Sequence, residues 1–94
     1  MCTIRLSEVL YGKDYPEAGA SLYEIIMQNK DSADKIVISM EGVSSIPSMF
    51  LNVSIGRYIE EFGIESLRSK ISFSKITKAQ ALRLRDYIDK MSKH

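Results

Sequence analysis

Hydroxyl side chains are concentrated in one short stretch of the chain, Gly42 to Asn52, which reads GVSSIPSMFLN. Its three serines, Ser44, Ser45 and Ser48, surround Pro47 and precede an amphipathic segment. A serine at the start of a helix can accept a hydrogen bond from a free backbone N–H, and a serine in an accessible turn can be phosphorylated. The stretch therefore has two interpretations, helix capping and a phosphate-operated switch.

Residues that usually perform catalysis are sparse. His94 is the only histidine and ends the chain, and Cys2 is the only cysteine. These two residues cannot supply a histidine-based triad or a structural zinc site. Gly42, Gly56 and Gly63 are isolated, so the chain has neither a phosphate loop nor a dinucleotide fingerprint. We expect a protein that is not an enzyme and that uses no cofactor and no metal.

The composition is that of an ordinary globular chain. Its 94 residues are 45% hydrophobic and 27% charged, which predicts one domain, residues 1–94, with a core that needs no disulfide. No apolar run reaches the roughly 18 residues of a membrane helix, and the N-terminus has no export signal. Together with the single cysteine, these features favour a cytoplasmic protein that does not bind membranes.

Charge is distributed unevenly along the chain. Residues 1–62 contain 5 Lys/Arg against 9 Asp/Glu, whereas residues 63–94 contain 8 against 3. The basic third is either the solvent-facing coat of a last helix or a surface for an acidic partner or for nucleic acid. Asp86 and Asp89 interrupt it, and aromatic residues do not interleave with it, which argues against nucleic acid. The candidate patch consists of Arg68, Lys70, Lys75, Lys78, Arg83 and Arg85.

Hydrophobic periodicity predicts three strands. CTIRL alternates over residues 2–6, and SKISF alternates over residues 69–73. KIVISM, residues 35–40, is apolar and β-branched, which is typical of a strand in the middle of a sheet. A fourth short strand could lie within the first fifteen residues.

Three helices are predicted between and after these strands. The first begins either at a capping box, Ser21 to Glu24, or earlier, with Pro16 in its first turn. The second runs over residues 47–62 and ends at Gly63. The third opens with the capping box Thr77 to Gln80. Its inward stripe would consist of Ala81, Leu84, Ile88 and Met91.

Alternating strands and helices predict an α/β protein: a small single domain with a central, mostly parallel sheet of three to four strands and about three helices. The serines then lie at the carboxyl end of the central strand, where ligands and partners usually bind. The free N–H groups of the following helix would donate hydrogen bonds to a serine hydroxyl, from Ser45 or Ser48, or to a phosphate.

The run KIVISMEGVSSIPSMFLNVSIGRYIEEFG resembles the core of STAS-type domains. It is most similar to the small STAS-like domain of unknown function, the DUF4325 group. The shared pattern is a hydrophobic strand at residues 36–40, the Gly42–Val43 pair, a serine-rich turn and a helix that opens with an aromatic residue, Phe50. In order of elements the resemblance covers roughly residues 18–92.

The resemblance implies a regulatory, non-catalytic module. In the anti-sigma factor antagonists of the STAS group, the first serine of an Asp-Ser-Ser-Gly turn is phosphorylated by a kinase-like anti-sigma factor. That serine aligns with Ser48, whereas Pro47 replaces the aspartate and Met49–Phe50 replace the Ser-Gly pair. The implied partner is a kinase-like ATPase or a transcription regulator. The turn that would bind it consists of Ser44, Ser45, Pro47, Met49, Phe50 and Asn52.

Two points stay open at this level. Met49 and Phe50 either pack down on the sheet or stand exposed as a hydrophobic contact for a partner. A small-molecule sensor with a pocket at the strand ends is a further alternative to the protein-binding and nucleic-acid-binding interpretations.

Overall fold

A computed structural model describes residues 1–92 of the chain, so the sole histidine, His94, lies outside the described range. The three strands are β1 (Cys2–Arg5), β2 (Ile36–Ser39) and β3 (Ile71–Ser74). The helices of this range are α1 (Leu6–Leu10), α2 (Tyr15–Asn29), α3 (Ser48–Leu51), α4 (Ile55–Phe62), α5 (Ile64–Lys70) and α6 (Lys78–Ser92). The α/β class is confirmed, with more helices than the predicted three.

The sheet has the order β1-β2-β3, and both strand pairs are parallel. The KIVISM segment is therefore the central strand, as its composition predicts. In the observed register one face carries mainly apolar side chains, and Ile36 and Ile38 in its middle are completely buried. The other face carries exposed or half-buried residues. These are Thr3, Arg5, Val37, Ser39, Ser72 and Ser74. The sheet is thus packed against helices on one face.

The first long helix begins earlier than its capping-box pattern indicates. The N-cap of α2 is Asp14, whose carboxylate accepts a hydrogen bond of 2.8 Å from the Glu17 N–H, and Pro16 lies in the first turn. The start at Ser21 is therefore wrong, and the alternative of an earlier start with Pro16 in the first turn is confirmed.

Two short helices were not predicted from the sequence. In the first fifteen residues the structure has α1 rather than a fourth strand, and α1 buries Leu6 and Val9. Before β3 it has α5, in which only Leu67 is fully buried. One or two buried positions do not establish a helical period, because the pattern needs several repeats to be recognised.

The predicted helix over residues 47–62 is two helices, α3 and α4, separated by a break at residues 52–54. At this break the hydroxyl of Ser54 is completely buried and donates a hydrogen bond of 2.8 Å to the Phe50 carbonyl. A serine that bonds the carbonyl four residues earlier competes with the backbone ladder and bends a helix. Gly63, with φ 89°, ends α4 as predicted, and its N–H donates to the Ile59 carbonyl.

The last helix begins as its sequence predicts. The Gln80 N–H donates to the Thr77 hydroxyl at 3.1 Å, and the Thr77 N–H donates to the Gln80 side-chain oxygen at 3.0 Å. This is the reciprocal capping box. The inward stripe is only partly covered: Leu84 is buried, Ile88 is half-buried and Ala81 is exposed. Part of the predicted inward stripe of α6 is therefore accessible to solvent.

A polar cluster joins α2 to α4. The Arg57 guanidinium lies 4.0 Å above the centre of the Tyr23 ring and pairs with the Glu61 carboxylate at 3.2 Å. A hydrogen bond from Tyr23, helped by Arg57, lowers the pKa of Glu61 below its ordinary value of 4.5. Burial, followed by the nearby Glu61, raises the pKa of Tyr23.

We expect Glu61→Gln to reduce the acid sensitivity of folding. A carboxylate whose pKa is lower in the folded state contributes stability above its unfolded-state pKa, and this contribution is lost as the pH falls through the folded-state value. The free energy of unfolding of the wild type should therefore fall more between pH about 6 and pH about 3 than that of the variant. Urea titrations at both pH values measure the difference, with Glu60→Gln as the control on the same helix. An equal fall in Glu61→Gln and wild type would contradict the prediction.

Candidate functional site

We call residues Gly42–Asn52 the serine turn. It follows β2 at the carboxyl end of the sheet, as the sequence predicts. The Val43 N–H donates to the Met40 carbonyl at 3.0 Å, and Gly42 has φ 80°, a conformation that glycine adopts without strain. The chain therefore reverses tightly as soon as the central strand ends.

The serine turn has a buried side and an exposed side. Val43, Ile46, Phe50 and Leu51 are buried among the core side chains. The side chain of Met49 is 56% exposed although Phe50 beside it is 1% exposed. Two of the predicted partner-binding residues are therefore not fully accessible: Phe50 is buried in this conformation, and Pro47 is half-buried. The exposed set consists of Ser44, Ser45, Ser48, Met49 and Asn52.

Helix α6 holds the serine turn through four hydrogen bonds, and the one to Ser48 is described below. The Gln80 amide donates to the Val43 carbonyl at 2.5 Å, and the Arg83 Nε donates to the Ile46 carbonyl at 2.9 Å. The Tyr87 hydroxyl donates to the Asn52 side-chain oxygen at 2.7 Å. Burial and the charge of Glu60 raise the pKa of Tyr87, so its hydroxyl keeps the proton that it donates. The turn is therefore fixed at both ends and in its middle.

None of the serines caps the helix that follows, so the capping interpretation is wrong. The N-cap of α3 is Pro47, and no side-chain hydrogen bond caps this helix. Because α3 has only four residues, the argument from a long helix dipole does not apply to Ser48 either. A different positive group faces this serine.

That group is the guanidinium of Arg83. Its Nη2 donates to the Ser48 hydroxyl at 3.4 Å. Both residues line a cleft of about 370 Å³ between the serine turn and α6. Lys90 lines the same cleft, and Asp86 is the one carboxylate in its lining. A phosphate on Ser48 would therefore have two cationic side chains within the same cleft.

The six basic candidates do not form a single group. Arg83 is bonded to the serine turn, and the ammonium of Lys70 donates to the Ala33 carbonyl. Arg68 and Arg85 line a separate groove on the other flank of α6. The remaining two, Lys75 and Lys78, lie where β3 connects to α6. At least two of the six side chains are thus used in bonds within the protein.

Two absences can be stated for residues 1–92. No cluster of three or more histidine, cysteine, aspartate or glutamate side chains in this range could hold a metal ion. In the same range, no helix has the length and apolar character needed to cross a membrane.

Sequence reasoning missed the roles of Gln80 and Tyr87. Gln80 was recognised as half of a capping box, but its amide also reaches a carbonyl 37 positions away. Tyr87 lies outside the predicted α6 stripe, and its hydroxyl lies where a side chain at Gly56 would begin. The glycine inside α4 is the available signal, because a helix-interior glycine often marks a close approach by another element.

A family model described as a STAS-like domain of unknown function (DUF4325) matches residues 18–81, more than half of the chain. No curated protein and no solved structure matches significantly. The matched segment includes α2, the central strand, the serine turn and the start of α6.

Proposed function

We propose that this chain, which belongs to the family of STAS-like domains of unknown function, is a non-catalytic regulatory module. It would bind a protein partner through its serine turn. The observation that carries the proposal is the exposure of Met49 in the middle of a hydroxyl-rich, firmly held surface. An apolar side chain ringed by polar groups is typical of a contact surface for another protein.

Rigidity of the serine turn supports this role. A surface that is already ordered loses little conformational entropy when a partner binds. The bonds from Gln80, Arg83 and Tyr87 hold the backbone in place, while Ser44, Ser45 and Ser48 remain accessible. The turn therefore presents its hydroxyls and Met49 in one defined arrangement.

A non-catalytic role is also the one that the chemistry of this surface supports. The exposed set of the serine turn offers hydroxyl, amide and thioether groups, and the adjoining cleft adds Asp86 as its carboxylate. A serine nucleophile is commonly activated by an adjacent base. Near Ser48 the bonded neighbour is the guanidinium of Arg83, which cannot accept a proton.

Ser48 is the residue through which we propose that binding is regulated. Phosphorylation would replace a neutral hydroxyl by a dianion on the exposed side of the turn. Arg83, which now donates to both Ser48 and Ile46, would be drawn towards the phosphate. The partner would then meet a changed charge and a changed hydrogen-bond pattern. A kinase-like ATPase or a transcription regulator is the partner class that the family resemblance implies.

We expect Ser48→Glu to weaken binding of the native partner at least about tenfold while leaving the fold intact. The partner is first captured with the wild-type chain and purified, and its Kd is then measured by titration calorimetry. The wild type, Ser48→Glu and Met49→Asp are compared. Weaker binding is expected for Ser48→Glu and for Met49→Asp because both variants place a negative charge within the proposed contact surface.

Ser32→Glu is the matched control, because Ser32 is also exposed but lies before β2, at the opposite end of the central strand. Its Kd should equal that of the wild type. Thermal melts of all variants separate a binding effect from unfolding. A partner that binds Ser48→Glu and Met49→Asp as tightly as the wild type rules out the serine turn as the docking surface.

A further inference from the structure

The flank of α6 that faces away from the serine turn borders a second, more apolar groove. Arg83 and Arg85 are two positions apart and therefore point to opposite flanks of the helix. The groove has a volume of about 520 Å³. Its charged lining residues are Arg68, Arg85 and Asp89. Its apolar lining includes Phe73, Ile76, Leu84 and Ile88.

This groove runs beside the β3 edge, one of the two outer edges of the sheet. Within residues 1–92, β3 is an outer strand with a neighbour on one side only. The Met40 N–H donates to the Ser74 carbonyl at 2.8 Å, so Ser74 turns its backbone groups towards β2. Because these directions alternate along a strand, Phe73 turns its N–H and carbonyl towards the outer edge. The side chain of the same residue lines the groove.

We propose that this edge and groove bind an extended, acidic segment of a partner protein as an added strand. A strand placed beside β3 would bond to the outward backbone groups at Phe73, and every second side chain of it would enter the groove. Apolar side chains fit the lining formed by Phe73, Ile76 and Ile88. Acidic side chains at the ends of the segment would pair with the arginines.

Charge complementarity selects an acidic segment. Two arginines, Arg68 from α5 and Arg85 from α6, line the groove against a single carboxylate, Asp89, so its lining is cationic. An unpaired strand edge is also a template for another strand, which natural proteins usually cover or disrupt with charge. Ser72 and Ser74, the polar residues of β3, neither cover this edge nor place a charge on it. The edge and the cationic groove thus favour the same kind of occupant.

The test uses uniformly nitrogen-15-labelled full-length chain and a synthetic peptide, acetyl-Glu-Thr-Val-Thr-Val-Thr-Glu-amide. In this peptide glutamate and valine share one face. We expect the peptide to shift the amide resonances of Phe73 and of residues 84–88, with little change at residues 44–49. A peptide with lysine in place of both glutamates should bind at least about fivefold more weakly.

Two variants make the result specific. Arg85→Glu, at an exposed position, should reverse the preference and bind the lysine peptide more tightly than the glutamate peptide. Lys13→Glu, at an exposed position outside the groove lining, should bind the glutamate peptide as the wild type does. Absence of shifts at about 2 mM peptide overturns the proposal, as does equal binding of the two peptides. Shifts at the groove with decanoate but not with the peptide would also overturn it, because the occupant would then be a small amphiphile.

Discussion

Phe50→Ala is expected to lower the free energy of unfolding by about 3–5 kcal/mol. Phe50 is 1% exposed and belongs to the core cluster that includes Leu51 and Tyr58. Truncation removes the transfer free energy of the ring and leaves a cavity between the serine turn and the sheet. A domain of this size commonly has about 5–15 kcal/mol of stability, so the variant would keep only part of it.

Urea titration followed by circular dichroism measures this loss. The matched control is the neighbouring variant Met49→Ala, which should change the free energy of unfolding by less than about 0.5 kcal/mol, because Met49 is 56% exposed. The pair distinguishes the residue that supports the serine turn from the residue that the turn presents. Equal destabilisation by the two variants would mean that the buried and exposed sides of the turn are assigned wrongly.

Gly19→Ala is expected to destabilise the protein by about 1–3 kcal/mol, although the same change in an open helix stabilises it by about 1 kcal/mol. Gly19 lies inside α2, where the helix meets the serine turn. A Cβ at this position would lie 2.6 Å from the Phe50 carbonyl oxygen and would also overlap the side chain of Val53. Because one of the two contacts is backbone, α3 itself would have to move.

Ala20→Gly is the control for the intrinsic preference of α2. Ala20 is exposed on the same helix, so its replacement should cost only the propensity difference of about 1 kcal/mol. Chemical unfolding of both variants gives the two values. A more stable Gly19→Ala would show that α2 and α3 can separate without cost, and would contradict the close packing described above.

Both predictions concern the packing of α2 and the core against Phe50, which is one of two supports of the serine turn. Gly19 lets α2 approach the Phe50 backbone from one side, and Gln80, Arg83 and Tyr87 bind the turn from α6 on the other. The exposed hydroxyls are therefore positioned by two long helices that are distant in sequence. Loosening either support should affect partner binding through the shape of the turn, whereas Ser48→Glu should affect it through charge.

Several features were determined by the sequence alone, because they depend on short-range patterns. The β-branched run KIVISM identified the central strand, and the Thr77–Gln80 pair identified the start of α6. The order of strands and helices indicated the α/β class and the position of the serine turn at the carboxyl end of the sheet. The central strand and the capping box are each specified by residues within a few positions of one another, and the order of elements follows from such local patterns.

The tertiary structure alone decided what the residues of the serine turn do. Met49 and Phe50 are adjacent and similarly apolar, and only packing against the core buries one and exposes the other. The partner of Ser48 is a guanidinium 35 positions away, and packing completely buries Ser54 at the break between α3 and α4. Such contacts follow from how the helices are stacked on the sheet, which local patterns do not encode, because many distant side chains compete for the same space.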